Sequence, residues 1–176
     1  MKLQKLLSIT RKAIDDYQLI EENDCIAVGI SGGKDSLCLL YALHGLKRFY
    51  PKKFDIIAIT VDLGFGNLNL DKIIELCKQL DVEYHVVKTQ IADILKAKIK
   101  EGSFCSLCAK MRKGALNNFA KELGCNKIAY AHHKDDFIET MLLSLFYEGQ
   151  FFSFPPIKYF LNSSKRWSGL TSNKTL

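Results

Sequence analysis

Apolar residues run almost unbroken over 25–30 (CIAVGI) and 54–61 (FDIIAITV), and again over 127–131 (KIAYA). Such short continuous runs predict buried strands, and the apolar-polar alternation over 83–89 predicts a fourth, half-buried one. Between them the apolar positions take helical spacing, predicting helices over 36–49, 70–80, 91–99, from the segment EGSFCSLC to about 123, and over 135–147. Tyr50-Pro51 stops the first of these, and Gly124 is the expected C-terminal cap of the long one. Leu3, Leu6, Leu7, Ala13, Ile14 and Tyr17 place an amphipathic helix within residues 1–20. Strands alternating with helices predict an α/β fold, an open parallel sheet with helices on both faces.

Composition narrows this little. The 176 residues, 48% hydrophobic and 25% charged, suit one globular domain with a sizeable core. No apolar run approaches membrane-spanning length, and the basic N-terminus has neither a continuous apolar core nor a small-residue cleavage site. A cytoplasmic protein with no membrane partner is expected. Charge is more informative. The net +6 is matched by one segment, 96–121, where seven basic residues face one acid, Glu101. Such a segment suits a polyanion, and also a plain solvated helix face.

Four of the six cysteines, Cys25, Cys38, Cys77 and Cys125, sit singly in apolar runs and read as small buried hydrophobes. Cys105 and Cys108 form a pair, CSLC, at the start of a helix and beside Lys110, Arg112 and Lys113. Helix dipole and cations both favour thiolates, and CxxC spacing alone leaves zinc, an iron–sulfur cluster and redox use open.

The segment ISGGKDSLCLL joins a predicted strand to a predicted helix. A nucleotide-hydrolase P-loop would need glycine at Val28 and a hydroxyl at Asp35, so that loop is excluded. No third glycine completes a dinucleotide fingerprint either. What remains is an anion cradle of backbone N–H groups over Ser31, Gly32, Gly33, Lys34, Asp35 and Ser36, at a helix N-terminus.

SGGKDS closely resembles the pyrophosphate loop of the PP-loop ATP pyrophosphatases. CSLCAKMRKGAL and AHHKDDFIETMLLSLFYEG, in that order, and then FSFPP, resemble the tRNA 2-thiocytidine synthetase family over about residues 1–157. The resemblance implies a Rossmann-like sheet of the adenine nucleotide α-hydrolase type, in the order 3-2-1-4. It also implies an activity. ATP adenylates the C2 oxygen of an anticodon-loop cytidine with loss of pyrophosphate, and sulfur then displaces AMP. Carried over by position, residues 31–36 would hold the phosphates, with Lys34 offsetting charge on the departing pyrophosphate. Asp62, His132, His133 and Asp136 would face the same crevice, Asp136 as a phosphate or Mg²⁺ residue. Cys105 and Cys108 would share a [4Fe-4S] cluster with a third, distant cysteine, and Lys110, Arg112 and Lys113 would meet RNA. The implied partners are tRNA, a sulfur donor such as a cysteine desulfurase, and a second copy in a homodimer.

The sequence departs from the family after Pro156. Residues 157–176 contain no acid and no clear period, so a domain over 1–156 and a poorly ordered tail are expected. The third cysteine and a fifth strand are expected to be absent, leaving the fourth strand as an open edge. Two alternatives stay open: a PP-loop ligase acting on another base or small substrate, and a truncated nucleotide-binding relic without thiolation activity. An amide-forming ligase would have no use for CSLC as a sulfur carrier.

Overall fold

The computed structural model describes residues 3–66, 69–97, 104–132, 134–153, 157–159 and 165–168; the side chains of 104–106, 134, 157–159 and 165–168 lie outside the description. Helix α1 (Leu3–Asp16) leads into strand β1 (Asp24–Gly29), helix α2 (Lys34–Lys47) and strand β2 (Phe54–Asp62). Then come α3 (Asp71–Gln79), β3 (Glu83–Lys88), α4 (Ile91–Ala97), α5 (Phe104–Glu122), β4 (Lys127–Tyr130) and α6 (Lys134–Leu143). A π-helical turn, Ser144–Glu148, extends α6 until Gly149 ends it with φ +64°. Two short strands follow, β5 (Ile157–Tyr159) and β6 (Lys165–Ser168).

The first four strands are parallel in the order β3-β2-β1-β4. Alternate residues of each central strand feed different layers. Ile26 and Val28 of β1, with Ile56 and Ala58 of β2, pack against Leu39, Leu40 and Leu43 of α2. Ala27, Ile57 and Ile59 point the other way, onto Leu116 and Ala120 of α5. Both faces are covered, and this is why the strand sequences read as continuous apolar runs rather than alternating ones. Gly124 (φ +77°) closes α5 as expected, its N–H donating to Lys121 O at 2.9 Å while Cys125 N–H donates to Ala120 O at 2.9 Å.

Three expectations need correction. The sheet does not stop at β4: β6 pairs parallel to it, from Lys127–Lys165 to Tyr130–Ser168, and β5 lies antiparallel beyond. An open edge offers a row of unpaired N–H and C=O groups, and strands of three or four residues are too short to show a period in sequence. Part of the segment expected to be a disordered tail is therefore sheet. Cys38 is exposed rather than buried, because α2 turns Leu39 and Leu40 inward and Cys38 outward. Cys25 is only half-buried, with its Sγ 3.4 Å from Cys125 Sγ.

Candidate active site

The polypeptide leaves β1 at Gly29, and Ile30 N–H still donates to Ile59 O at 2.8 Å. The turn that follows needs Gly32 at φ +84°, a conformation a side chain would strain, with open space where a Cβ would stand. Ser36, only 3% exposed, stitches the loop together. Its Oγ donates to Gly33 O at 2.8 Å and accepts from Ser31 N–H at 3.2 Å and from Ser31 Oγ at 3.3 Å. Ser36 thus holds the loop's shape. Gly32, Gly33, Lys34 and Asp35 form the exposed rim at the N-terminus of the 14-residue α2. Helix N–H groups and a lysine on one rim suit an anion.

Beneath the rim opens a cavity of about 300 Å³. Its walls come from four places: Ser31 and Ser36 of the loop, the end of β2 from Ile59 to Leu63, residues of α5, and the end of β4 through His132. The strand order reverses between β1 and β4, and crevices at such a switch point take ligands in open α/β sheets. Asp62 lines the cavity; its Oδ1 accepts the Gly64 N–H at 2.9 Å, and its carbonyl accepts Thr89 Oγ1 at 2.7 Å. Burial raises the Tyr84 phenol above its ordinary pKa, so it stays a donor to Thr60 Oγ1 at 2.9 Å, behind the β2 wall.

His132 lines the cavity and its Nδ1 lies 3.7 Å from Asp136 Oδ2, one helical turn into α6. Asp136 is thereby set beside the crevice rather than in its wall. His133 lies outside the described residues, as does the side chain of Cys105. Cys108 is half-buried in the second turn of α5. The helix begins at Phe104, so the CSLC pair is inside it and not in a preceding loop. The basic trio divides. Arg112 and Lys113 line the cavity, whereas Lys110 is exposed outside it.

Sequence reasoning missed the apolar walls Ile59 and Leu116, the lip residue Phe65, and above all Tyr130. Tyr130 donates its OH to Asn117 Oδ1 at 3.2 Å. Its place at the C-terminal end of β4, two residues before HHKDD, was a usable signal.

The cradle suits a nucleotide: amide donors and Lys34 on the rim, Arg112 and Lys113 in the α5 wall beside apolar residues, carboxylates at the edge. Among the described residues no group of three His, Cys, Asp or Glu side chains converges, and the Cys105 side chain lies outside them.

The fold and its loop define an α/β protein with a candidate anion-binding crevice at the β1–β4 switch point. Residues 3–158 match the PP-loop domain family, and the chain belongs to that family. It is 44% identical over 154 residues to a tRNA-cytidine(32) 2-sulfurtransferase of Syntrophotalea carbinolica, covering 87% of this chain and 60% of the relative. To the protein of the same name from Aliivibrio salmonicida it is 45% identical over 157 residues, 88% of this chain and 51% of that one. The chain thus spans about half to three-fifths of the length of these curated relatives. Among solved structures it resembles the U34-tRNA thiolase NcsA from Methanococcus maripaludis with its [4Fe-4S] cluster (TM-score 0.70, 26% identity, 84% of this chain and 50% of that chain). The NH3-dependent NAD synthetase of Campylobacter jejuni (TM-score 0.53, 22% identity, 77% and 59%) shares the fold.

Proposed function

We propose that the chain carries out ATP-dependent tRNA thiolation, giving 2-thiocytidine in the anticodon loop. One observation carries this reading. Helix α5, which starts with the CSLC pair, supplies Arg112, Lys113 and Leu116 to the wall of the cavity beneath the SGGKDS loop. The sulfur chemistry and the nucleotide chemistry therefore share one helix. The similarity to tRNA-cytidine(32) 2-sulfurtransferases supplies the substrate class.

ATP sits with its phosphates on the loop amides and Lys34. The cytidine C2 oxygen attacks the α-phosphorus, the α–β bridging bond breaks, and pyrophosphate leaves with its charge offset by Lys34 and the α2 N-terminus. A sulfide-level sulfur nucleophile then adds at C2 and AMP departs with the oxygen; where the source is a persulfide, a two-electron thiol reductant brings its sulfur to that level. Asp136, and Asp35 at the rim, are the carboxylates that would hold Mg²⁺ beside the phosphates, where the ion would offset their charge. Cys105 and Cys108 are the residues that would ligate a [4Fe-4S] cluster, which when bound supplies an iron to carry the sulfur. The described residues hold no group of three side chains that would complete its ligation. A cysteine desulfurase is the proposed sulfur source, and the cytoplasm the compartment; among the described residues no helix is long and apolar enough to cross a membrane. Lys110, exposed on α5, is proposed to meet the RNA backbone. A homodimer would cover Phe146, Tyr147 and Phe151, which are 76–83% exposed around the π-helical turn.

Mass spectrometry of tRNA nucleosides tests the reading. Deleting the gene should abolish 2-thiocytidine and restoring it should return the nucleoside. Unchanged 2-thiocytidine on deletion would overturn the thiolation reading.

A further inference from the structure

Lys110 and Lys113 lie one turn apart on α5, yet only Lys113 is half-buried and lines the cavity. Its Nζ stands 6.0 Å from the centroid of the Tyr130 ring, within reach of the ring's negative face. That ring has little freedom. Its OH is tied to Asn117 Oδ1 at 3.2 Å, one turn along the same helix, and its edge would come within 3.4 Å of any Cβ at Gly29. A Cβ there would crowd Leu116 Cδ2 first, at 3.2 Å, so the Tyr130 ring lies in ordinary contact with the end of β1. Lys113 shares the cleft with apolar wall residues such as Leu116, and a cleft that partly excludes water strengthens Coulomb attraction. The same cleft receives Ser31 and Ser36 from the anion cradle.

We infer that Lys113 is a phosphate-binding cation of the crevice, and that Tyr130 is its positioning residue. Lys113 is therefore assigned to the nucleotide rather than to the RNA backbone. It contacts the triphosphate from the α5 wall, opposite Lys34 on the α2 rim. This assignment rests on the nucleotide reading above. Tyr130 acts through Lys113: its ring face holds the ammonium over the cavity, and its OH bond to Asn117 holds the ring.

Calorimetric titration of the full chain with Mg-ATP provides the test. Lys113→Met should weaken binding about tenfold, the size of one charge-assisted phosphate contact, and reduce its salt dependence. Lys113→Arg should stay within about threefold, as expected if the cation rather than the exact side chain matters. Tyr130→Leu should weaken binding by about threefold, and Tyr130→Phe should restore it because the ring face remains. In a Lys113→Met background, Tyr130→Leu should add nothing. Lys121→Met, an exposed charge on the same helix, controls for general electrostatics and should leave affinity unchanged. Wild-type affinity in Lys113→Met overturns the assignment, as does an equal loss in Lys121→Met. An additive loss in the double variant overturns the positioning role of Tyr130. Failure of the unaltered chain to bind Mg-ATP overturns the nucleotide reading itself, and this assignment with it.

Discussion

The two ends of strand β4 treat a lysine in opposite ways. At its start Lys127 is 1% exposed and satisfied from three sides. Its Nζ is 2.5 Å from Asp24 Oδ2, donates to Leu19 O at 2.9 Å and lies 3.5 Å from Glu21 Oε2. Asp24, itself buried, also accepts from Glu21 N–H at 2.6 Å and from Asn126 Nδ2 at 2.7 Å. Beyond the strand's other end, Lys113 is half-buried over Tyr130 in an open cavity. A closed end uses charge to lock β1, β4 and the α1–β1 link together. An open end leaves charge where a ligand can meet it. The parallel sheet makes the asymmetry natural: β1, β2 and β4 present their C-terminal ends to one crevice, and the N-terminal ends can be sealed.

The largest effect should come from breaking the closed end. Lys127→Met leaves Asp24 buried without its cation and should cost about 3–5 kcal/mol, read from urea denaturation. Replacing both members with apolar residues should cost much less, since the desolvation of both charges is then avoided. A loss below about 1 kcal/mol for Lys127→Met would show that the pair is not the seal described. At the open end, Gly64→Val should cost about 1–3 kcal/mol. Gly64 has φ +85°, and a Cβ there would stand 2.9 Å from Thr89 O, on the turn that carries Asp62 and the cavity lip. An unchanged unfolding midpoint would refute that strain.

The smallest effect at neutral pH concerns Cys125, back at the closed end. Burial, and then the contact with the Cys25 thiol, pushes its pKa from near 9 up to about 12. The folded value lies above the unfolded one, so the stability this thiol contributes is fully present below pH 9. It is lost as pH rises through the window from 9 to about 12. The urea midpoint should be flat from pH 7 to 8.5 and fall at pH 10.5, with a shallower fall in Cys125→Val. Equal slopes for the two proteins would exclude Cys125 as the titrating group.

Much of the fold could be read from residue patterns. β1, β2 and β4 fall within one residue of the apolar runs, because burial on both faces writes itself directly into composition, and β3 within one residue of the alternating stretch. Helices were legible for the same reason, α5 with the CSLC pair at its start among them. The β5–β6 extension was not legible. Its pairing is a contact with an edge built by residues some forty positions earlier, and KRWS carries no strand period of its own.

The site divides along the same line. Loop chemistry is local, so SGGKDS declared itself as an anion cradle through its own glycines, hydroxyls and helix start. The division of Lys110, Arg112 and Lys113 was invisible, since three neighbouring basic residues look alike until helix phase and packing assign each a direction. Tyr130 was missed although its place at the end of a strand was a signal, because its role in the cavity is set only when β4 settles beside β1. The sequence by itself determined the elements, their alternation and the phosphate loop, all set by short-range sterics and burial. Only the tertiary structure decided which lysine is sealed and which is offered to a ligand, because burial and electrostatic environment are made by groups about a hundred residues apart.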